Sequence, residues 1–202
     1  MKNNITGSGL NANYWDKRYQ DNETGWDINQ VSPPLKEYID TILNKNIKIL
    51  IPGCGNAYEA EYLLNKGFTN VTLIDIAATL VNKLKKKFAG KPIRILLMDF
   101  FVHTEKYDLI LEQTFFCAID PSLRKRYAEK SFDLLNEKGK VAGLLFNCDF
   151  EKEGPPFGGS KEEYQKLFEP FFTLIQFDTC KKSIAPRQGR ELFIEMEKKN
   201  NC

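Results

Sequence analysis

At 202 residues and a net charge of +2, the chain suits one domain with a full core and carries no broad electrostatic footprint for nucleic acid. Cys54, Cys117, Cys148, Cys180 and Cys202 are odd in number and scattered without a C-x-x-C pair, which excludes a disulfide scaffold and a zinc module. A single histidine, His103, leaves little for a metal site or a histidine-based triad. No basic-then-apolar segment resembles a signal peptide and no apolar run approaches a membrane span, so the sequence predicts a reduced, cytoplasmic protein, monomeric by default.

In chain order, residues 1–13 are polar and rich in Asn and Gly, and are expected to form a mobile arm. Residues 14–34 hold both tryptophans, Trp15 and Trp26, with Tyr14 and Tyr19, in an otherwise polar setting. A short helix over 14–20 and a loop at Gly25-Trp26-Asp27 are expected. Core packing is the ordinary fate of a tryptophan; aromatics gathered ahead of the main fold favour a lid over a ligand. Pro33-Pro34 then opens a helix with Leu35, Ile39, Ile42 and Leu43 at helical spacing.

The stretch from Ile47 to Asp75 reads as strand, glycine turn, helix, strand. Ile47, Ile49, Leu50 and Ile51 suit a parallel strand buried on both faces. Pro52-Gly53-Cys54-Gly55 stops it, and the glycines let a ligand approach the main chain. Asn56 or a neighbour is expected to cap a helix that buries Ala57, Ala60, Leu63 and Leu64 and ends at Lys66-Gly67. Val71, Leu73 and Ile74 form the next strand, closed by Asp75. A dinucleotide fingerprint would place a third glycine where Tyr58 stands, while Asp75 can still accept from ribose hydroxyls. A ribose-bearing ligand without phosphate, such as S-adenosylmethionine, fits better than NAD; an ordinary tight turn stays open, because short glycine motifs recur by chance.

A helix over 77–89 follows, its Lys83, Lys85, Lys86 and Lys87 reading as a solvated end rather than a binding patch. A third strand runs from Ile93 to Met98 and stops at Asp99-Phe100-Phe101; in a parallel sheet Asp75 and Asp99 should then face one crevice. A fourth strand over 107–111 ends at Glu112-Gln113. After a loop at 114–119, Pro121 opens a long helix, and a fifth strand covers 141–146. Gly154 to Gly159 form a loop expected near the site mouth. A short helix over 160–168 and two alternating strands, 172–177 and 191–196, finish the chain. The expectation is one α/β domain, residues 1–202, with a mostly parallel seven-stranded sheet, helices on both faces and an antiparallel C-terminal hairpin at one edge.

Taken together, Y-W-D-K-R-Y, G-W-D, P-G-C-G, L-I-D-I, M-D-F-F, D-L-I-L-E-Q-T-F-F-C-A-I-D-P-S-L-R, G-P-P-F and R-Q-G-R-E resemble the thiopurine S-methyltransferase family, from about Tyr14 to Lys198. The T-F-F-C-A-I and G-P-P-F segments are most similar to its plant-type halide/thiol branch. The resemblance implies a Rossmann-like class I methyltransferase that uses S-adenosylmethionine. It implies cofactor contacts at Trp15, Trp26, Gly53, Asp75 (ribose), and Asp99 and Phe100 (adenine). Tyr19 replaces a third tryptophan of plant members, and Gln113 stands where that branch commonly has tyrosine. Arg124 matches the arginine of a P-x-x-R motif near substrate in the thiopurine branch, and so is the candidate for substrate positioning.

The implied reaction is methyl transfer to a small soft nucleophile: a thiol, thiopurine, sulfide or halide. A thiol pKa near ~8.5 removes the need for a strong base, which agrees with one histidine; His103 is expected in a loop and Cys117 as a small buried residue. Phe115, Phe116 and Phe157 are candidate pocket walls, and Arg187, with Arg124, a candidate attractor of an anionic acceptor. Two other classes share the sheet. Tyr58 and the aromatic segment argue against a nicotinamide enzyme; a cofactor-binding module without catalysis, or one serving a different acceptor, remains.

Overall fold

A computed structural model describes residues 9–200. Seven strands form one sheet in the order β3-β2-β1-β4-β5-β7-β6. β1 (Ile49–Pro52), β2 (Val71–Asp75), β3 (Ile93–Leu97), β4 (Tyr107–Gln113) and β5 (Leu135–Phe146) run parallel. β6 (Phe172–Thr179) and β7 (Glu191–Lys198) pair antiparallel, and β7 also runs antiparallel to β5, so the expected hairpin closes the sheet with β6 at the edge. β7 is therefore an inner strand. Its first four residues are all buried, where alternation was expected.

The side-chain period of two along these strands divides the core into two layers. Ile49, Ile51, Leu73, Leu109 and Leu111 face one side, with α2 (Pro33–Thr41), α3 (Tyr58–Asn65) and α4 (Ala78–Lys87). Leu50, Ile74, Ile110, Val141 and Leu145 face the other, with α5 (Arg124–Leu134) and α6 (Lys161–Phe168). The β1 and β2 residues are buried throughout. β3, the opposite edge, is half-exposed.

Residues 1–8 of the expected arm lie outside the described residues. Its last residues are not an arm: Asn11 Oδ1 accepts the Tyr14 N–H at 3.1 Å and caps α1 (Ala12–Gln20), so Ala12 and Asn13 are helical. The cap expected at Asn56 or a neighbour falls on the neighbour. Ala57 occupies the N-cap of α3 in the left-handed region (φ 58°) with no side-chain cap, while the Asn56 amide donates to Asp27 and accepts from Lys83 Nζ at 3.1 Å. Gly67 ends α3 at φ 88°, as its sequence position predicts.

Candidate functional site

Where the parallel strands end, a cavity of about 440 Å³ opens between the glycine turn, the residues after β3 and β4, and the aromatic N-terminal segment. This is the crevice a parallel sheet offers beyond its strand carboxyl ends. Of the nine residues singled out from sequence, Trp15, Tyr19, Trp26, Gly53, Asp75, Asp99 and Phe100 line it.

Gly53 needs to be glycine for two reasons. Its φ is +54°, and a Cβ there would stand 2.4 Å from Phe115 Cδ2, because the Phe115 ring packs across the turn. That ring is held from below by Glu112, a fully buried acid not singled out beforehand. Glu112 Oε1 accepts the N–H groups of Phe115 (2.8 Å) and Phe116 (2.9 Å), and Oε2 accepts from the Tyr127 hydroxyl at 2.8 Å. Burial pushes its pKa up to about 7 despite these bonds. The signal in the sequence was an acid three and four residues before an aromatic pair at a strand end.

Asp75 ends β2, with one oxygen accepting the Ala77 N–H at 2.9 Å. Burial raises its pKa to about 6, against the lowering effect of the Ala77, Gly55 and Ile76 N–H groups. Asp99 Oδ1 accepts the Phe101 N–H at 2.9 Å and caps the 3-10 turn Phe100–Val102. Phe100 is thereby fixed against Phe115 (5.3 Å between ring centroids) and Tyr127 (5.5 Å, stacked).

Opposite them, Trp15, Tyr19 and Trp26 meet edge to face, with centroids 5.5 Å (Trp15–Trp26) and 5.8 Å (Tyr19–Trp26) apart. Burial, with Asp75 and Cys54 nearby, keeps the Tyr19 phenol protonated by raising its pKa far above the usual value. The segment is tied down by polar contacts. Asp16 Oδ1 accepts the Thr79 N–H at 2.6 Å, capping α4 from another helix, since Ala77 at that helix's own N-cap offers no side chain. Asp27 accepts from Asn56 and from the Tyr58 hydroxyl (3.3 Å), which gives the bulky residue at the third fingerprint position a partner. Glu59 Oε1 accepts the Ser32 N–H at 3.1 Å. Arg18, absent from the sequence-based candidates, lines the cavity with its guanidinium 5.5 Å from the Trp26 ring.

Gln113 and Arg124 lie elsewhere. Gln113 lines a recess of about 50 Å³ shared with Gly53, Thr114 and Trp26; its Oε1 is shielded from solvent and has no hydrogen-bond partner. Arg124 is buried at the start of α5. It donates to the carbonyls of Gly158 (2.7 Å) and Phe157 (3.4 Å), pairs with Glu163 (3.1 Å) and lies 4.9 Å from the Phe116 ring. It thus clamps the loop that brings Pro155 and Pro156 to the cavity wall. Phe115 lines the cavity, whereas Phe116 is buried beneath it and Phe157 is not among the lining residues. Cys117 lines it with a thiol whose pKa burial drives upward, donating to Thr114 O at 3.3 Å. His103 is buried in the second core layer with Nε2 2.8 Å from the Tyr107 hydroxyl, away from the cavity.

Among the described residues no group of three or more His, Cys, Asp or Glu is placed to hold a metal, and no helix is long and apolar enough to cross a membrane. The donor set suits a phosphate-free nucleoside bearing an amino acid. A carboxylate ends β2, aromatic walls flank it, and a lone buried amide oxygen waits beside the turn for a donor.

The model of the family described as Thiopurine S-methyltransferase (TPMT) matches residues 10–199. A probable thiol methyltransferase 2 of Arabidopsis thaliana is 33% identical over 184 residues, covering 88% of this chain and 81% of its own length. A thiopurine S-methyltransferase of Vibrio campbellii is 26% identical over 176 residues, with 78% and 82% covered. Among solved structures, the 1,6-didemethyltoxoflavin-N1-methyltransferase of Burkholderia thailandensis, bound to 1,6-didemethyltoxoflavin and S-adenosylhomocysteine, superposes with a TM-score of 0.75 at 17% identity. That match covers 94% of this chain and 87% of the other, a likeness of fold.

Proposed function

The chain belongs to the thiopurine S-methyltransferase family, and from that premise we propose that it methylates a small soft nucleophile, a thiol, thiopurine, sulfide or halide, in the cavity beneath the aromatic segment. It is an S-adenosylmethionine-dependent methyltransferase. When bound, S-adenosylmethionine supplies an electrophilic methyl group on a sulfonium, open to in-line displacement by the acceptor.

The chain's own residues then have these roles. Asp75, as carboxylate, accepts from the ribose hydroxyls, and the Gly53 main chain lets the ligand lie against the turn. Asp99 and Phe100 bound the adenine. Gln113 Oε1 accepts from the amino-acid ammonium, which would give that orphaned oxygen its missing donor. Trp15, Tyr19 and Trp26 wall the cavity and exclude water, which favours a reaction that annihilates charge. Arg124 serves the acceptor side through the loop it clamps rather than by contact.

The observation that carries the acceptor class is the proton chemistry of the lining. Among the described residues around the cavity, neither imidazole nor lysine occurs, the Cys117 and Tyr19 groups are held protonated, and the Asp75, Asp99 and Asp120 carboxylates are engaged by main-chain N–H groups. A nucleophile that arrives ionised, or ionises easily, needs no base; holding it in line supplies the acceleration. Arg18 and Arg190 on the lining favour an anion, whereas the Arg187 guanidinium is taken up by Glu191 and the Trp26 carbonyl. The near-neutral net charge supports a small-molecule acceptor over nucleic acid, and the scattered cysteines a reduced, cytoplasmic protein, with a monomer as the default.

Transfer of labelled methyl to iodide, sulfide, an aromatic thiol and a thiopurine tests the proposal, with calorimetry against S-adenosylhomocysteine and NAD as control. Binding of the S-adenosyl ligand and methylation of at least one member are expected. Binding of the S-adenosyl ligand with no sulfur or iodide methylation of any member would discard the soft-nucleophile assignment.

A further inference from the structure

The aromatic segment is anchored at several points, and they differ in what they can sense. Asp16 on Thr79 lies outside both cavities, and Asp27 on Asn56 and Tyr58, with Glu59 on Ser32, lies at the small recess beside Gln113 rather than at the main cavity. Arg187 is an anchor that lines it: Nη2 donates to the main-chain carbonyl of Trp26 at 2.8 Å, joining positions 161 residues apart.

The other side of Arg187 is fixed by the sheet. Nη1 pairs with Glu191 Oε1 at 3.4 Å, the two side chains only 12% and 3% exposed, and the guanidinium lies 5.5 Å from the Phe146 ring. Glu191 begins β7 and Phe146 ends β5, adjacent strands in register at those residues. A rigid planar fork can serve the carboxylate and the carbonyl at once; an ammonium on a flexible stem does not reproduce that geometry. The carbonyl it holds belongs to the residue whose ring packs against both Trp15 and Tyr19.

We propose that Arg187 is a positioning residue for the lid, transmitting the fixed geometry of the β5–β7 pair to Trp26 and through it to the aromatic wall. It acts on the cofactor through Trp26. The cofactor part of the proposal rests on the methyltransferase reading; the lid part does not.

Both tryptophans of the chain lie in this segment, so intrinsic tryptophan fluorescence reports on it alone. In ligand-free protein, Arg187→Gln and Arg187→Lys should both increase acrylamide quenching. With S-adenosylhomocysteine, affinity should fall several-fold, and turnover should suffer more at limiting than at saturating cofactor. If Arg187→Gln fails to fold because Glu191 is left buried and unpaired, the double variant Arg187→Gln/Glu191→Gln removes that charge and should show the same quenching. Wild-type quenching in both Arg187→Lys and the foldable Gln variant overturns the proposal. So does full restoration by Arg187→Lys, which would leave only a charge requirement, or a rise confined to the acceptor KM. A wild-type protein that does not bind the S-adenosyl ligand would instead refute the functional reading, leaving the quenching comparison intact.

Discussion

The glycine turn and the aromatic lid enclose the same cavity and are built in opposite ways. The turn follows β1, whose four residues are all buried, and passes through left-handed torsions at Gly53 (54°), Gly55 (51°) and Ala57 (58°). Such torsions persist only where the surroundings fix them. α1 in the lid, by contrast, has no buried residue, and the lid is held by aromatic edges and by polar contacts of Asp16 to α4, of Asp27 to Tyr58 of α3 and of the Trp26 carbonyl to Arg187 before β7. A platform held by the core stays put. A segment held by a few polar anchors belongs to the low-stability end of the molecule, where opening for a ligand costs least.

The largest effect expected from that contrast is at the turn. Gly53→Ala forces a side chain into left-handed torsions and against the Phe115 ring 2.4 Å away. Strain and overpacking together should cost about 2–4 kcal/mol, read as a lower melting temperature, with cofactor affinity lost in parallel. A variant of wild-type stability and affinity would show that the turn is as yielding as the lid.

Asp75 comes next, at the edge of the same platform. Asp75→Asn should weaken S-adenosylhomocysteine binding by about tenfold or more, the scale of hydrogen bonds to a charged group, without unfolding the protein. Its pH dependence has a definite sign. The folded pKa of about 6 lies above the unfolded value of 3.8. The group's contribution to folding is therefore fully present below about pH 3.8 and is lost as pH rises through 6. Cofactor affinity runs the other way, because the ionised form accepts the ribose hydroxyls. It should fall as pH drops through about 6 in the wild type and stay flat there in Asp75→Asn. Calorimetry between pH 5 and 8 reads both.

The same contrast governs what could be read from sequence. Ile49 to Ile51, the glycine turn, Asp75 and Asp99 are specified by neighbours within a few residues, and their arrangement at one crevice follows from parallel strands alone. β7 misled because the alternation of Glu191 to Met196 describes an edge strand, whereas insertion between β5 and β6 buries both faces. Polar side chains were the least legible. Asp16 meets Thr79 63 residues away, and Arg124 meets Gly158 34 residues away, where it clamps a loop. Nothing local marks Asp16 as the cap of a helix that lacks its own, or separates a clamping arginine from a substrate-facing one.

Asp16→Ala probes such a long-range anchor. Losing the acceptor for the Thr79 N–H should cost about 1–2 kcal/mol, as for other helix caps. The chemical denaturation midpoint should fall, and amide exchange at the start of α4 should quicken. If the lid is an independent flap, exchange there stays at the wild-type rate and only tryptophan quenching changes.

Trp26→Ala should have the smallest effect, and it bears most directly on whether the lid is part of the binding site. Its ring lines the cavity and touches Trp15 and Tyr19 edge to face, while its carbonyl, which Arg187 holds, survives the substitution. The change therefore removes an aromatic wall and leaves the anchor. Aromatic contacts of about 0.5–1.5 kcal/mol translate into a loss of cofactor affinity between a few-fold and roughly tenfold. The melting temperature of the ligand-free protein should move little, since Trp26 is only half-buried and belongs to neither core layer. A large fall in melting temperature with unchanged affinity would reverse the comparison, making Trp26 part of the core and leaving the turn to bind the cofactor without a lid.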